Sequence, residues 1–154
     1  NARGIFKNFK ANNLFMSPEE LSAIHHECFV QPRPWTPDEF KILLKKNILL
    51  WKSRAFLLGR QVNGEAEILT LAVAPNERRN GLASSLIREF VNKMKQVKVK
   101  KIILEVDHRN KPALSLYKNF SFKKIGERKA YYKHNSEDPS SNAFLLECKI
   151  SYDN

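Results

Sequence analysis

Hydrophobic and polar positions along the chain change period repeatedly, and each change marks a new element. Leu21, Ile24, Cys28 and Phe29 recur at the three-to-four spacing of one helix face, and Phe40, Leu43 and Leu44 do so further on. Each stretch opens on the same local grammar, Ser17-Pro18-Glu19-Glu20 and Thr36-Pro37-Asp38-Glu39. A hydroxyl at the N-cap, Pro at the first helical position and Glu at the third predict two amphipathic helices. Between them Gln31-Pro32-Arg33-Pro34-Trp35 reads as a stiff exposed elbow, because the prolines remove donors and push their neighbours toward extended backbone.

From Ile48 the period shortens to that of strands. Ile48 to Lys52, Arg54 to Gln61 and Ala66 to Val73 predict an antiparallel meander, with Asn63-Gly64 as a hairpin turn. In the third segment Ala66, Ile68, Thr70 and Ala72 point one way while Glu67, Leu69, Leu71 and Val73 point the other. A turn over Asn76 to Ala83 then feeds a helix carrying Leu82, Leu86, Phe90 and Met94 beside Ile87 and Val91. Lys100 to Asp107 predicts a strand with Ile102, Leu104 and Val106 on one face, followed by a short helix over Pro112 to Asn119. Phe122 to Tyr132 and Ala143 to Ile150 predict the last two strands, separated by a polar loop from His134 to Asn142. This order gives an α+β fold, a mixed and mostly antiparallel sheet flanked by helices.

Composition narrows the function classes. The 154 residues are 42% hydrophobic and 28% charged, the balance of an ordinary globular protein, and the length suits one domain, taken as residues 3–152. Asn1-Ala2 reads as the remnant of an expression tag. Apolar runs such as Ile48 to Trp51 and Ala143 to Leu146 are far shorter than the roughly 20 residues a membrane helix needs, so no membrane partner is expected. No signal-peptide pattern opens the chain, which points to the cytoplasm. Cys28 and Cys148 fit neither a disulfide framework nor a zinc spacing and read as core thiols. His25, His26, His108 and His134 show no ligand spacing, so no metal is expected. The formal net charge of +11 favours polyanions: RNA, a ribosome surface or a phosphorylated cofactor.

The turn Arg78-Arg79-Asn80-Gly81-Leu82-Ala83 is where chemistry is first legible. It follows a strand and opens a helix, where free N–H groups, the helix dipole and a Gly allowing close approach favour an anion. Two arginines at a helix N-terminus oppose the dipole unless an anion is present. The turn lacks the Lys-Ser/Thr of a P-loop and the Gly-x-Gly-x-x-Gly of a dinucleotide fold, so neither nucleotide hydrolysis nor hydride transfer is indicated.

On these residues the chain resembles the GNAT acetyltransferases, whose acetyl-CoA motif of Arg or Gln, two residues, Gly, one residue, Gly or Ala is met by Arg78, Gly81 and Ala83. Within that superfamily it resembles most the bacterial ribosomal-protein-alanine N-acetyltransferases. The resemblance takes in Phe29 to Phe40 with its Pro-Trp-Thr, Leu69 to Ala83, Leu104 to Asn110, Ala113 to Tyr117, and the basic-then-double-Tyr segment Arg128 to Tyr132.

The resemblance implies acetyl-CoA as acetyl donor and the N-terminal amine of a protein as acceptor, in particular the alanine of a small-subunit ribosomal protein. Backbone groups of Leu71, Ala72 and Val73 would pair with the pantetheine arm. Arg78, Arg79, Asn80, Gly81, Leu82, Ala83 and Ser84 would receive the pyrophosphate, and Asn110 would touch the coenzyme. Glu105 would be the general base and Tyr117 the general acid, roles a carboxylate and a phenol can fill. Without the resemblance, Glu105 reads as the solvent side of a strand and the Tyr117 ring as core. Trp35, Tyr131 and Tyr132 read either as an acceptor groove or as rim packing.

Other readings stay open. A lysine, another peptide or a small amine could be the acceptor, or the chain could be a basic RNA- or ribosome-binding module. Lys95, Lys98, Lys100 and Lys101 read as a solvated helix end or as an RNA contact. Phe120-Ser121-Phe122 stands where relatives carry Leu-Gly-Phe, which would strain a turn of positive φ. A net charge of +11 also slows encounter with a basic ribosomal protein.

Overall fold

The two Pro-opened helices form where cap chemistry places them. Ser17 Oγ accepts the Glu20 N–H at 3.1 Å and starts α1 (Pro18–Cys28). Thr36 and Glu39 form a complete capping box at the start of α2 (Pro37–Leu44). The computed structural model describes residues 6–7, 16–29, 33–129 and 142–152. Those residues also form β1 (Phe6–Lys7), β2 (Ile48–Lys52), β3 (Ala55–Val62), β4 (Glu65–Val73), α3 (Leu82–Gln96), β5 (Lys101–Asp107), α4 (Lys111–Asn119), β6 (Lys123–Arg128) and β7 (Ala143–Lys149).

The chain divides into two compact units, one drawn from residues 1–60 and 69–93, the other from 61–68 and 94–154. In the first the strand order is β1-β2-β3-β4. β1 is parallel to β2, and β2 is antiparallel to β3 with Leu49 opposite Leu58 and Trp51 opposite Phe56. Those four join Met16, Leu21, Ile24, Phe40, Leu44 and Ala72 in one core cluster. Each such buried side chain is worth roughly 1.5–3 kcal/mol relative to exposure. Leu50 and Leu57 are registered partners on the opposite face of the pleat and are also fully buried, so the strands are covered on both sides.

In the second unit the order is β4-β5-β7-β6. β4 runs parallel to β5 through Glu65–Ile68 opposite Lys101–Leu104, whereas β5 with β7 and β6 with β7 are antiparallel. The mixed, mostly antiparallel α+β reading therefore holds. Asn63 (φ 52°) and Gly64 (φ 80°) are both left-handed, the signature of a two-residue I′ hairpin turn.

One observed strand was not expected, and one expected strand is shorter. The two-residue strand β1 is too short to carry a period and is not legible in the sequence. The strand expected over Phe122 to Tyr132 is β6, Lys123–Arg128. Its ladder reaches Arg128 opposite Ala143, the first residue of β7, and Lys129 turns away. Tyr131 and Tyr132, with most of the polar loop, lie outside the described residues.

Ser121 has φ 66°, the strained position that the departure from Gly implied. It is the C′ residue of a Schellman motif: Phe122 N–H reaches Tyr117 O at 3.1 Å and Ser121 N–H reaches Lys118 O at 3.0 Å. The hydrophobic contact typical of that motif is the Phe122 ring against Tyr117, centroids 5.5 Å apart. Ser121→Gly is expected to raise stability by about 1 kcal/mol, because glycine carries no Cβ penalty at this φ. Urea denaturation of the two proteins checks it; an unchanged or lowered midpoint contradicts it.

Candidate functional site

The first unit holds the anion-binding turn, and its neighbours lock it in place. After β4, a single 3-10 turn at Pro75–Glu77 turns the chain back toward the β2–β3 corner. There the Glu77 carboxylate accepts Ser53 Oγ–H at 2.6 Å and Arg54 N–H at 2.8 Å, and Ala74 N–H reaches Arg54 O at 2.9 Å. Those bonds hold the Glu77 carboxyl below its ordinary range, so it stays charged and turned to the corner. Arg79 (φ 69°) and Gly81 (φ 71°) are left-handed. A Cβ on Gly81 would meet nothing within 4 Å, so the backbone there is open to close approach.

Helix α3 begins directly after this turn. Its first backbone bond is Ser85 N–H to Gly81 O at 3.0 Å, so Leu82, Ala83 and Ser84 have no intrahelical acceptor for their N–H groups. No acidic side chain stands in its first turn. A cavity of about 130 Å³ is lined here by Val73, Glu77, Arg78, Arg79 and Gly81 to Ser84, the Glu77 carboxylate being engaged by Ser53 and Arg54. Lys52 Nζ, which the sequence did not mark out, donates to Ser85 Oγ and adds positive charge at the helix start. Converging N–H groups and cations with an open glycine fit a phosphate or diphosphate.

The end of β4 carries a further constraint. Leu71 and Val73 are half-buried and Ala72 is buried. The Val73 carbonyl accepts both Arg78 Nε–H and Cys28 Sγ–H, each at 3.2 Å. A ligand pairing with this strand therefore meets a carbonyl already in use. Burial pushes the Cys28 thiol up despite the neighbouring Arg78. Both cysteines are free, as expected of core thiols. Asn80 is exposed and its Nδ2 donates to Glu77 O at 3.2 Å.

Trp35 is built into the α1–α2 side of the same unit. Its ring stacks on His25 (centroids 4.8 Å, 24°) and meets Phe40 edge-on at 5.5 Å. Its N–H donates to His25 Nδ1 at 2.9 Å and its carbonyl accepts Ser22 Oγ–H at 2.8 Å. His25 Nδ1 is thus an acceptor, which leaves the proton on Nε2, 3.0 Å from Thr70 Oγ1. Burial lowers the His25 pKa to about 4. Nothing in the sequence marks out His25, because its partner Thr70 is too distant in the chain for spacing to reveal.

In the second unit Glu105 lies on the half-exposed face of β5, with Leu104 and Val106 buried on the other. Its carboxylate meets Arg128 of β6 at 3.1 Å. Asp107 is half-buried and bound by Arg109 at 2.7 Å. Desolvation pushes the Asp107 carboxyl up, but the bonds and charge of Arg109 outweigh it and hold it low. Asn110 is the N-cap of α4, its Oδ1 accepting Ala113 N–H at 3.2 Å. Tyr117 is buried in α4, and burial pushes its phenol well up, so it stays protonated. Among the described residues no group of His, Cys, Asp and Glu could hold a metal, and no helix is long and apolar enough to cross a membrane.

Known proteins match this arrangement. The acetyltransferase (GNAT) family model matches residues 19–122. A protein of Bacillus subtilis (strain 168), provisionally named a [ribosomal protein bS18]-alanine N-acetyltransferase, is 34% identical over 113 residues, covering 68% of this chain and 75% of its own. The crystal structure of the ribosomal-protein-S18-alanine N-acetyltransferase from Escherichia coli superposes with a TM-score of 0.77 at 22% identity, over 89% of this chain and 90% of that one. Arabidopsis thaliana NAA60 in complex with acetyl-CoA superposes with a TM-score of 0.70 at 20% identity, over 88% of this chain and 96% of that one.

Proposed function

The chain belongs to the GNAT acetyltransferase family, and on that premise we propose that it transfers acetyl from acetyl-CoA to the N-terminal α-amine of a protein, with the alanine of a small-subunit ribosomal protein as the first acceptor to test. The observation that carries the cofactor half is the α3 start: free N–H groups of Leu82 to Ser84 behind Arg78, Arg79, Asn80 and open Gly81. These residues would hold the pyrophosphate, the β4 backbone at Leu71, Ala72 and Val73 would align the pantetheine arm through groups other than the occupied Val73 carbonyl, and Asn110 would add a contact. Acetyl-CoA supplies an activated thioester.

The chain's own groups manage the protons. An α-ammonium must lose a proton before its nitrogen can attack, and Glu105, a half-exposed carboxylate on β5, takes it. Tyr117, kept protonated by burial, returns a proton to the departing sulfur. Positioning of the two reactants contributes the remainder of the acceleration. The names of the S18-alanine enzymes among its relatives support the acceptor half of this reading.

Coenzyme A release should be followed with peptides beginning in Ala, Ser or Met and with an acetyl-blocked Ala peptide. Free-amine Ala and similar small-residue peptides are expected to react and the blocked peptide to stay inert. Equal rates for blocked and free peptides containing lysine would move the acceptor to a lysine, and reaction of small amines alone would remove the protein acceptor. Salt-sensitive RNA affinity without acetyl-CoA binding would replace the enzyme reading with a binding module.

A further inference from the structure

Resting on the reading of the α3 start as the coenzyme's diphosphate site, we infer that Lys52 is a further diphosphate-binding residue, a third cation of that site beside Arg78 and Arg79. Lys52 closes β2, and residues two apart on a strand share a face, so it lies with Leu50 on the side turned away from the α1–α2 core. Its registered partner on β3 is Ala55, whose methyl group leaves a lysine stem room to run. The half-buried side chain ends at helix α3, where Nζ donates to Ser85 Oγ. Ser85 makes the first intrahelical bond of α3, and the free N–H groups of Leu82, Ala83 and Ser84 directly precede it. The corner that carries Lys52 is the one that locks the anion turn, because Glu77 bonds to Ser53 and Arg54, the next two residues. Lysine and turn are therefore held to one frame, within the first unit.

An ammonium at a helix N-terminus opposes the dipole, as do the two arginines, so the cluster is stabilised by an anion. The side chains around it supply little negative charge. Both Glu77 oxygens are turned to the corner, one on Ser53 Oγ–H and one on Arg54 N–H. Glu27 pairs with Arg54, and the next acid along α3 is Glu89, one turn beyond Ser85. The other positions of this unit, 1–5, 8–15 and 30–32, contain no Asp or Glu. A lysine ammonium carries three donors. Ser85 takes one, and among the described residues Lys52 has no other hydrogen-bond or ion-pair partner. The remaining donors can reach a phosphate oxygen without displacing the hydroxyl, so Ser85 acts as a tether that sets the ammonium at the helix start. Arg78, by contrast, already gives its Nε–H to Val73 O.

The test is calorimetric and needs no turnover: the affinities of coenzyme A and 3′-dephospho-coenzyme A are measured for wild type, Lys52→Gln and Lys52→Arg, at low and at high salt. The fitted stoichiometry counts folded sites, so a loss of folded protein is not mistaken for weak binding. Lys52→Gln is expected to weaken both ligands about tenfold at low salt, the lower range for a hydrogen bond between charged groups. The loss should shrink at high salt, where screening removes part of the wild-type advantage. Lys52→Arg should keep most of the affinity. Unchanged affinity in Lys52→Gln overturns the inference. A loss confined to coenzyme A moves Lys52 to the 3′-phosphate and overturns the diphosphate assignment. An equal loss at both salts that arginine does not restore makes Lys52 a structural residue and overturns the inference as well. If wild type binds neither ligand, the coenzyme reading of the turn fails and this inference with it; wild-type binding that Lys52→Gln leaves intact sinks the inference alone.

Discussion

Glu105→Gln is expected to lower kcat by roughly 10²- to 10⁴-fold while acetyl-CoA affinity stays within about a factor of two. Glutamine keeps the shape and removes the basic oxygen, and the anion-binding turn of the first unit does not include this residue. Tyr117→Phe tests the other proton transfer. It keeps the ring that meets Phe122 at 5.5 Å and should lower kcat by about 10²-fold, since only the hydroxyl is lost. Single-turnover rates with saturating acetyl-CoA, and coenzyme affinity by calorimetry, read both. A Glu105→Gln enzyme within threefold of wild type would remove Glu105 from the chemistry, and weakened coenzyme binding with normal turnover would reassign it to the cofactor.

The second large effect is on stability in acid. His25 is buried and neutral, with Nδ1 receiving the Trp35 N–H and Nε2 on Thr70. A second ring proton would point Nδ1–H at another N–H, which explains structurally why this imidazole resists protonation. Its native pKa of about 4 lies below the ordinary 6.5, so only the unfolded chain takes the proton between those values. The stabilisation is therefore complete above about pH 6.5 and is lost as the pH falls toward 4. From pH 7 to pH 4.5 the loss should be about 2–3 kcal/mol, at 1.36 kcal/mol per unit. Urea denaturation of wild type and His25→Gln at both pH values isolates it, because the carboxylates contribute alike to both proteins. Equal acid slopes would show that His25 protonates as readily when folded as when unfolded.

Much of the fold was legible because its signals are local. The Ser17 and Thr36 caps act within one turn, and the alternation from Ala66 to Val73 reappears as strict alternation of burial along β4. Ser121 was legible as strain through the family resemblance, which implies glycine there, and its φ is positive. The anion turn was readable as a strand, an Arg- and Gly-containing loop and a helix start. Its supports were not: Glu77 bonding to the β2–β3 corner and Lys52 reaching Ser85 join segments that no spacing relates. Arg128 was visible only as part of a basic-then-Tyr segment, and its placement over Glu105 depends on β7 lying between β5 and β6.

The sequence by itself determined the helices and all strands but β1 to within a residue or two at their starts, which faces they bury, and that a cationic glycine turn opens the third helix. Each of these follows from residues within a few positions of one another, through capping, pleat alternation and backbone freedom. Only the tertiary structure decided that Glu105 has an arginine partner, that His25 is a neutral strut beneath Trp35, and that the Val73 carbonyl is already occupied. Alternating hydrophobicity makes a strand but is indifferent to its neighbour, so contacts between distant segments are settled only when strand order and register are.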